Sequence, residues 1–166
     1  MGHVSFGDPV CATVAKAIQQ GAENAAIAAK SGGVYVCIEG PQFSTRAESN
    51  LYRSWGADII GMTNLQEAKL AREAEICYAT MAMVTDYDCW HDGHDAVTVD
   101  QVVAVLHQNS ANAARAVRAA VAAMPRERTC ACATALQFAI LTSPEAIPEA
   151  IREKLALLLG KYSRKT

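Results

Sequence analysis

At 166 residues the chain has the length of one domain, which excludes a multi-domain machine. Fifteen Lys and Arg against 17 Asp and Glu leave a net charge of −2; a general binder of nucleic acid or of anionic membranes needs a basic surplus, so both classes are set aside. With 51% hydrophobic and 19% charged residues the chain can bury a core, yet it has no run of about 18 apolar residues that would span a membrane.

Much of the apolar share is alanine, which predicts helices packed closely on a sheet. Met1–Ser5 has neither a basic n-region nor an apolar h-region, so the expectation is a cytoplasmic protein without a secretory signal. Asp8-Pro9 opens a helix that the Ala-rich stretch carries to about Lys30, and Ser31-Gly32-Gly33 ends it. Val34–Ile38 reads as a buried strand stopped by Glu39-Gly40-Pro41. Thr45 with Glu48 three residues on is a capping box, so a helix runs from about Arg46 to Ser54.

Asp58–Met62 is a second strand, and Asn64 with Glu67 caps a helix reaching about Ala74. Ile76–Val84 is the longest unbroken apolar run and reads as a central strand, ending at Thr85-Asp86-Tyr87-Asp88. Thr98 and Gln101 cap the best-patterned helix, on which Val99, Val102, Val103, Leu106, Ala113, Val117, Val121 and Met124 form an apolar stripe. After Pro144 and Pro148 a last helix runs from about Glu149 to Leu159, stopped by Gly160. Strand-length runs alternating with helical patterns predict an α/β fold, and no repeat or linker divides the chain.

Three predicted strands thus end in polar segments: Glu39–Ser44, Met62–Asn64 and Thr85–Asp88. Ligands of open α/β sheets bind outside the carboxyl ends of strands, so the three segments either converge on one site or are ordinary turns. Thr63-Asn64 stands at a helix start, where free N–H groups and the positive dipole end suit phosphate, although Asn64 as a simple cap explains it equally. Asp86 and Asp88 lie two apart; such a carboxyl pair in an apolar setting can hold a general acid, and the alternative is a solvated turn. Tyr52, Trp55 and Tyr87 read as core or site-lining aromatics.

The six cysteines offer no clear metal pattern. Cys37 and Cys77 sit in apolar runs as buried thiols, and Cys130-Ala131-Cys132 lacks the C-x2-C spacing of zinc ribbons, leaving a disulfide open. Cys89, His91 and His94 have ligand character but no fourth partner of comparable spacing, so no metal site is expected.

Several longer motifs recur in one order: His3–Pro9, Ile38–Ser49, Trp55–Thr63, Glu73–Ala79 and Thr85–Trp90. Through them the sequence, from Gly2 to about Val105, resembles the trimeric purine nucleoside phosphorylases, and within them the 5′-methylthioadenosine phosphorylases. The resemblance implies cleavage of a purine nucleoside by phosphate to free base and sugar 1-phosphate, with phosphate as co-substrate and no metal or organic cofactor. It likens Phe43 and Ser44 to base-pocket residues, Met62 to the residue against the ribose, and Thr63 to a phosphate contact. Asp86 resembles the carboxyl facing purine N7 and Asp88 its partner toward the 6-amino group. Val99, Val102 and Val103 resemble the apolar wall of the 5′-alkylthio pocket, and His3 a residue lent to a neighbouring subunit's 5′ pocket.

One departure stands out. Family chains carry, before the His3 motif, a glycine-rich turn, an Arg-His pair and a Thr-Ala pair that hold phosphate, and none is present here. The resemblance therefore implies the C-terminal portion of a single phosphorylase domain over residues 1–166: an α/β, mixed twisted sheet flanked by helices, incomplete without an N-terminal segment. Its implied partners are that segment and two further copies in a homotrimer. The rival readings are a phosphorylase for adenosine or 6-oxopurine nucleosides, and a fragment that binds or assembles without catalysis.

Overall fold

The structure, a computed structural model, describes residues 1–91 and 99–163. The chain forms two compact units, one of Met1–Cys11, Gln66–Ala79 and Glu127–Thr166, the other of Ala12–Leu65 and Thr80–Arg126. We refer to them as the terminal and the central unit.

The central unit is built on α1 (Ala12–Asn24), β1 (Tyr35–Cys37), α2 (Arg46–Ser54), β2 (Ile59–Gly61) and α4 (Val99–Ala123), with α3 (Asn64–Glu73) starting directly after β2. β1 and β2 pair in parallel, Tyr35 opposite Ile59 and Cys37 opposite Gly61. The crossover that a parallel pair needs is supplied by α2. Asp58 pins the start of the ladder by accepting hydrogen bonds from the Val34 N–H (2.8 Å) and Lys30 Nζ (2.9 Å). Those bonds, the Val34 one first, hold its carboxyl below the ordinary range.

The capping box of α2 is present in both directions, between the Thr45 side chain and Glu48 N–H and between Glu48 and the Thr45 N–H. α1 is shorter than the sequence predicts, starting at Ala12 rather than Pro9 and ending at Asn24 rather than Lys30. Its end is a Schellman motif: Ala26 takes the left-handed conformation (φ 53°), Ile27 N–H donates to Ala22 O and Ala26 N–H to Glu23 O.

Ile76–Val84 is not a strand, which corrects the sequence reading. A strand exists only through a partner, and among the described residues the β1–β2 pair does not extend to this run. Two of its carbonyls are met singly instead. Within the terminal unit, Tyr78 O accepts from Cys11 N–H at 2.7 Å, and within the central unit Val84 O accepts from Asn109 Nδ2 at 2.9 Å.

The apolar stripe of α4 is likewise not the face that packs. α4 meets α1 through small residues: Ala116, Ala120, Ala17 and Ala22 are buried, and a Cβ on Gly21 would lie 2.5 Å from Ala120 N. Small side chains allow the backbones to approach closely, and that approach turns Val103, Leu106, Val117 and Val121 outward, where they are exposed. Thr98 lies outside the described residues.

In the terminal unit most of α3 accompanies α5 (Glu149–Lys154) and α6 (Ala156–Ser163), and Gly2 forms an antiparallel bridge with Ile140. The predicted last helix is split at Leu155, and Gly160 lies inside α6 rather than ending a helix. Glu75, itself left-handed (φ 55°) at the Schellman end of α3, is the polar centre of this unit. Its carboxylate accepts from Leu136 N–H (3.0 Å), Lys161 Nζ (2.9 Å) and the Tyr162 hydroxyl. No helix among the described residues is long and apolar enough to cross a membrane.

Candidate active site

Because β1 and β2 are parallel, the segments that follow them leave the sheet at the same end. Ile38 N–H bonds Gly61 O at 2.9 Å, so Glu39–Ser44 and Met62–Asn64 start side by side. Gly40 is essential to that closeness. Its φ is 73°, and a Cβ there would stand 2.7 Å from the Met62 sulfur. Met62 is thus packed against the loop that carries Phe43 and Ser44.

A cavity of about 350 Å³ opens at the end of β1 against α2. Phe43 and Ser44 line it together with Tyr52 and Trp55, whose rings pack at 5.7 Å, and with Glu39 and Glu48. Phe43 is 86% exposed, an apolar ring open at the cavity mouth. The Ser44 hydroxyl is buried and has no hydrogen-bond partner among the described residues. A buried hydroxyl left unpaired is costly and marks a position where a ligand's polar atom could complete it. Met62, Thr63, Asp86 and Asp88 are not part of the cavity lining.

The Thr85–Asp88 segment joins this region through α2. Asp88 accepts from the Ser49 hydroxyl at 2.6 Å on one oxygen and from Cys89 N–H at 2.8 Å on the other. Ser49 is 2% exposed, so this carboxylate is fixed by a buried donor. The Cys89 thiol reaches Ser44 O at 3.4 Å, tying the segment to the Phe43-Ser44 loop. Arg53, one turn beyond Ser49 on α2, lies over the Trp90 ring at 3.6 Å from its centre, and Tyr87 stacks on His91 at 4.5 Å. Asp86 is exposed and accepts from its neighbour Thr85 at 2.6 Å.

The two carboxyls therefore have different settings, Asp88 immobilised and Asp86 open. Thr63 is exposed immediately before α3, whose first residue is Asn64; the Asn64 side chain accepts from the Thr80 hydroxyl. So the structure brings Phe43, Ser44, Met62 and Asp88 into one connected region. Val102 is half-buried and Val103 is 43% exposed on the first turns of α4, and the side chain of Val99 lies outside the description. His3 belongs to the terminal unit, where it is exposed and its N–H donates to Ala139 O. Of the Cys89, His91 and His94 trio, His94 lies outside the described residues.

Sequence reasoning assigned no role to Ser49 and Arg53. Both follow Thr45 at intervals of four on α2, one helical face, and that spacing was the available signal.

A family model of the phosphorylase superfamily matches residues 1–122. The chain belongs to that superfamily. Among curated relatives, this phosphorylase-superfamily chain is 65% identical to the S-methyl-5′-thioadenosine phosphorylase of Koribacter versatilis, over 98% of its own length and 56% of the relative's. Among solved structures it is similar to a methylthioadenosine phosphorylase from an antarctic soil metagenomic library, with TM-score 0.89 and 49% identity over 95% of this chain and 56% of that one. It is also similar to the methylthioadenosine phosphorylase of Schistosoma mansoni in complex with adenine, with TM-score 0.71 and 28% identity over 96% of this chain and 55% of that one. The α/β phosphorylase fold expected from sequence is thereby borne out. The chain spans about half the length of the curated relatives it matches.

Proposed function

We propose that this chain forms the base- and ribose-facing part of a 5′-methylthioadenosine phosphorylase, which converts methylthioadenosine and phosphate to adenine and 5-methylthioribose 1-phosphate. The observation that carries the reading is Asp88 fixed by buried Ser49 beside the Phe43-Ser44 loop, in a chain 65% identical to a protein bearing that name. Asp86 and Asp88 face the purine edge, Asp86 toward N7 and Asp88 as acceptor for the 6-amino group. Phe43 covers the base, the free Ser44 hydroxyl takes one of its polar atoms, and Met62 packs on the ribose.

In the reaction the C1′–N9 bond breaks with its electron pair going to the purine, a proton from Asp86 reaches N7, and a phosphate oxygen bonds C1′. The sugar carries oxocarbenium character meanwhile, and phosphate held by Thr63 and the N-terminus of α3 is both nucleophile and counter-charge. No organic cofactor or metal takes part. Val99, Val102 and Val103, with His3 from a neighbouring copy of a homotrimer, enclose the 5′-methylthio group. The remaining phosphate contacts come from an N-terminal portion of the same enzyme, consistent with relatives nearly twice as long. Such an enzyme serves purine and methionine salvage in the cytoplasm.

The test is Asp86→Asn in the enzyme completed with that portion. Adenine release from methylthioadenosine should fall by on the order of 10²–10⁴-fold, the usual worth of a general acid. Inosine-type substrates, whose O6 and N7 an amide can bond together, should lose less. An unchanged rate with methylthioadenosine removes Asp86 from the mechanism.

A further inference from the structure

Four of the six cysteines, Cys11, Cys77, Cys130 and Cys132, converge in the terminal unit although they come from three separate stretches of chain. Their sulfur atoms all lie within 4.8 Å of one another, and Cys77 and Cys130 are 3.3 Å apart. All four are free thiols; Cys11 is buried and the other three are half-buried. Around a tetrahedral zinc ion with Zn–S of about 2.3 Å, neighbouring sulfurs stand about 3.8 Å apart. Paired disulfides would instead draw two of the separations in to about 2.05 Å.

We propose that these four cysteines bind one structural Zn²⁺ ion as a tetrathiolate site. Four thiolates form the soft, closed donor set that zinc takes in structural sites, and with no open position the ion plays no part in the reaction. Four thiolates around one Zn²⁺ carry a net charge of −2, and the guanidinium of Arg128 lies against Cys130 and Cys77 to offset it. Binding displaces the thiol protons to solvent and leaves every oxidation state unchanged. The backbone is arranged to present the ligands. Cys11 N–H bonds Tyr78 O at 2.7 Å, placing the first stretch beside Cys77. Arg128 donates to Glu75 O, drawing the loop before Cys130 to the same place, and Cys130 caps the short 3₁₀ turn that carries Cys132. The ion thus clips the first residues, the run after α3 and the C-x-C loop into one body.

The full chain, purified under reducing conditions without chelator, should contain close to one zinc per chain, with X-ray absorption showing a shell of four sulfurs. Replacing the metal with Co²⁺ should give the intense visible bands of a tetrahedral thiolate site. Cys132→Ser should lose most of the bound zinc, whereas Cys89→Ser, outside the cluster, should keep it. If Cys132→Ser does not fold, the sulfur shell and cobalt spectrum of the unmutated chain still decide. Four free thiols that take up neither Zn²⁺ nor Co²⁺ overturn the proposal. So does a chain alkylated at lysis in which these cysteines are recovered as disulfides.

Discussion

Asp88 illustrates how a serine with no assigned role can matter. The carboxylate is satisfied on both oxygens, and one of the donors is a hydroxyl buried in α2. Ser49→Ala should leave that oxygen unpaired and cost about 1–3 kcal/mol in positioning, seen as a roughly 10–100-fold fall in kcat for methylthioadenosine in the completed enzyme. Ser49→Thr, which returns a hydroxyl, should recover most of it; a merely structural loss would follow melting temperature instead. Equal kcat in Ser49→Ala and the parent would show that Asp88 needs no such support. The acceptors and loop residues were legible through the resemblance that the Ile38–Ser49 and Thr85–Trp90 motifs carry, whereas their place at predicted strand ends left ordinary turns equally open. Their supporting donor was marked only by its four-residue spacing from Thr45, which places it on a helical face without saying what it bonds.

At the scale of elements, local signals fared better than long-range ones. The capping box fixed α2 at Arg46–Ser54, because both partners lie within one turn. The Ile76–Val84 run had strand composition, but strand formation depends on a neighbour that local composition cannot supply. The valine stripe of α4 was a sound helix signal and a poor packing signal, since alanines and Gly21 made the closer contact. Gly21→Ala should therefore force α1 and α4 apart and destabilise by about 1–3 kcal/mol, measured by denaturant unfolding. Ala26 sits left-handed where glycine is at ease, so Ala26→Gly should gain up to about 1 kcal/mol in the same assay. Opposite signs would contradict the packing and the Schellman end respectively.

Across the whole molecule, positions remote in sequence decide what composition cannot. The C-x-C spacing argued against a zinc ribbon, and only folding brings Cys11 and Cys77 to it. Glu75 works similarly. Partial burial pushes its carboxyl up, but hydrogen bonds from Tyr162, Leu136 N–H and Lys161 outweigh this and leave it below the ordinary range. A lowered folded value means stability that is present above about 4.5 and is lost as pH falls through the folded value. Glu75→Gln should therefore cost about 1–3 kcal/mol near neutral pH, with the gap to the parent narrowing as the solution is acidified below the carboxylate range. A gap independent of pH would contradict a charged Glu75 in the fold.

The functional account rests on this chain carrying the base-facing part of a phosphorylase and depending on an N-terminal portion for phosphate. Its most direct test is adenine release from methylthioadenosine in phosphate buffer, measured for the chain alone and for the chain supplied with the N-terminal portion of a close relative. The account predicts no release above background from the chain alone, and phosphate-dependent formation of adenine and 5-methylthioribose 1-phosphate once the portion is supplied. Robust release by the chain alone, or none from a correctly assembled pair, would contradict it.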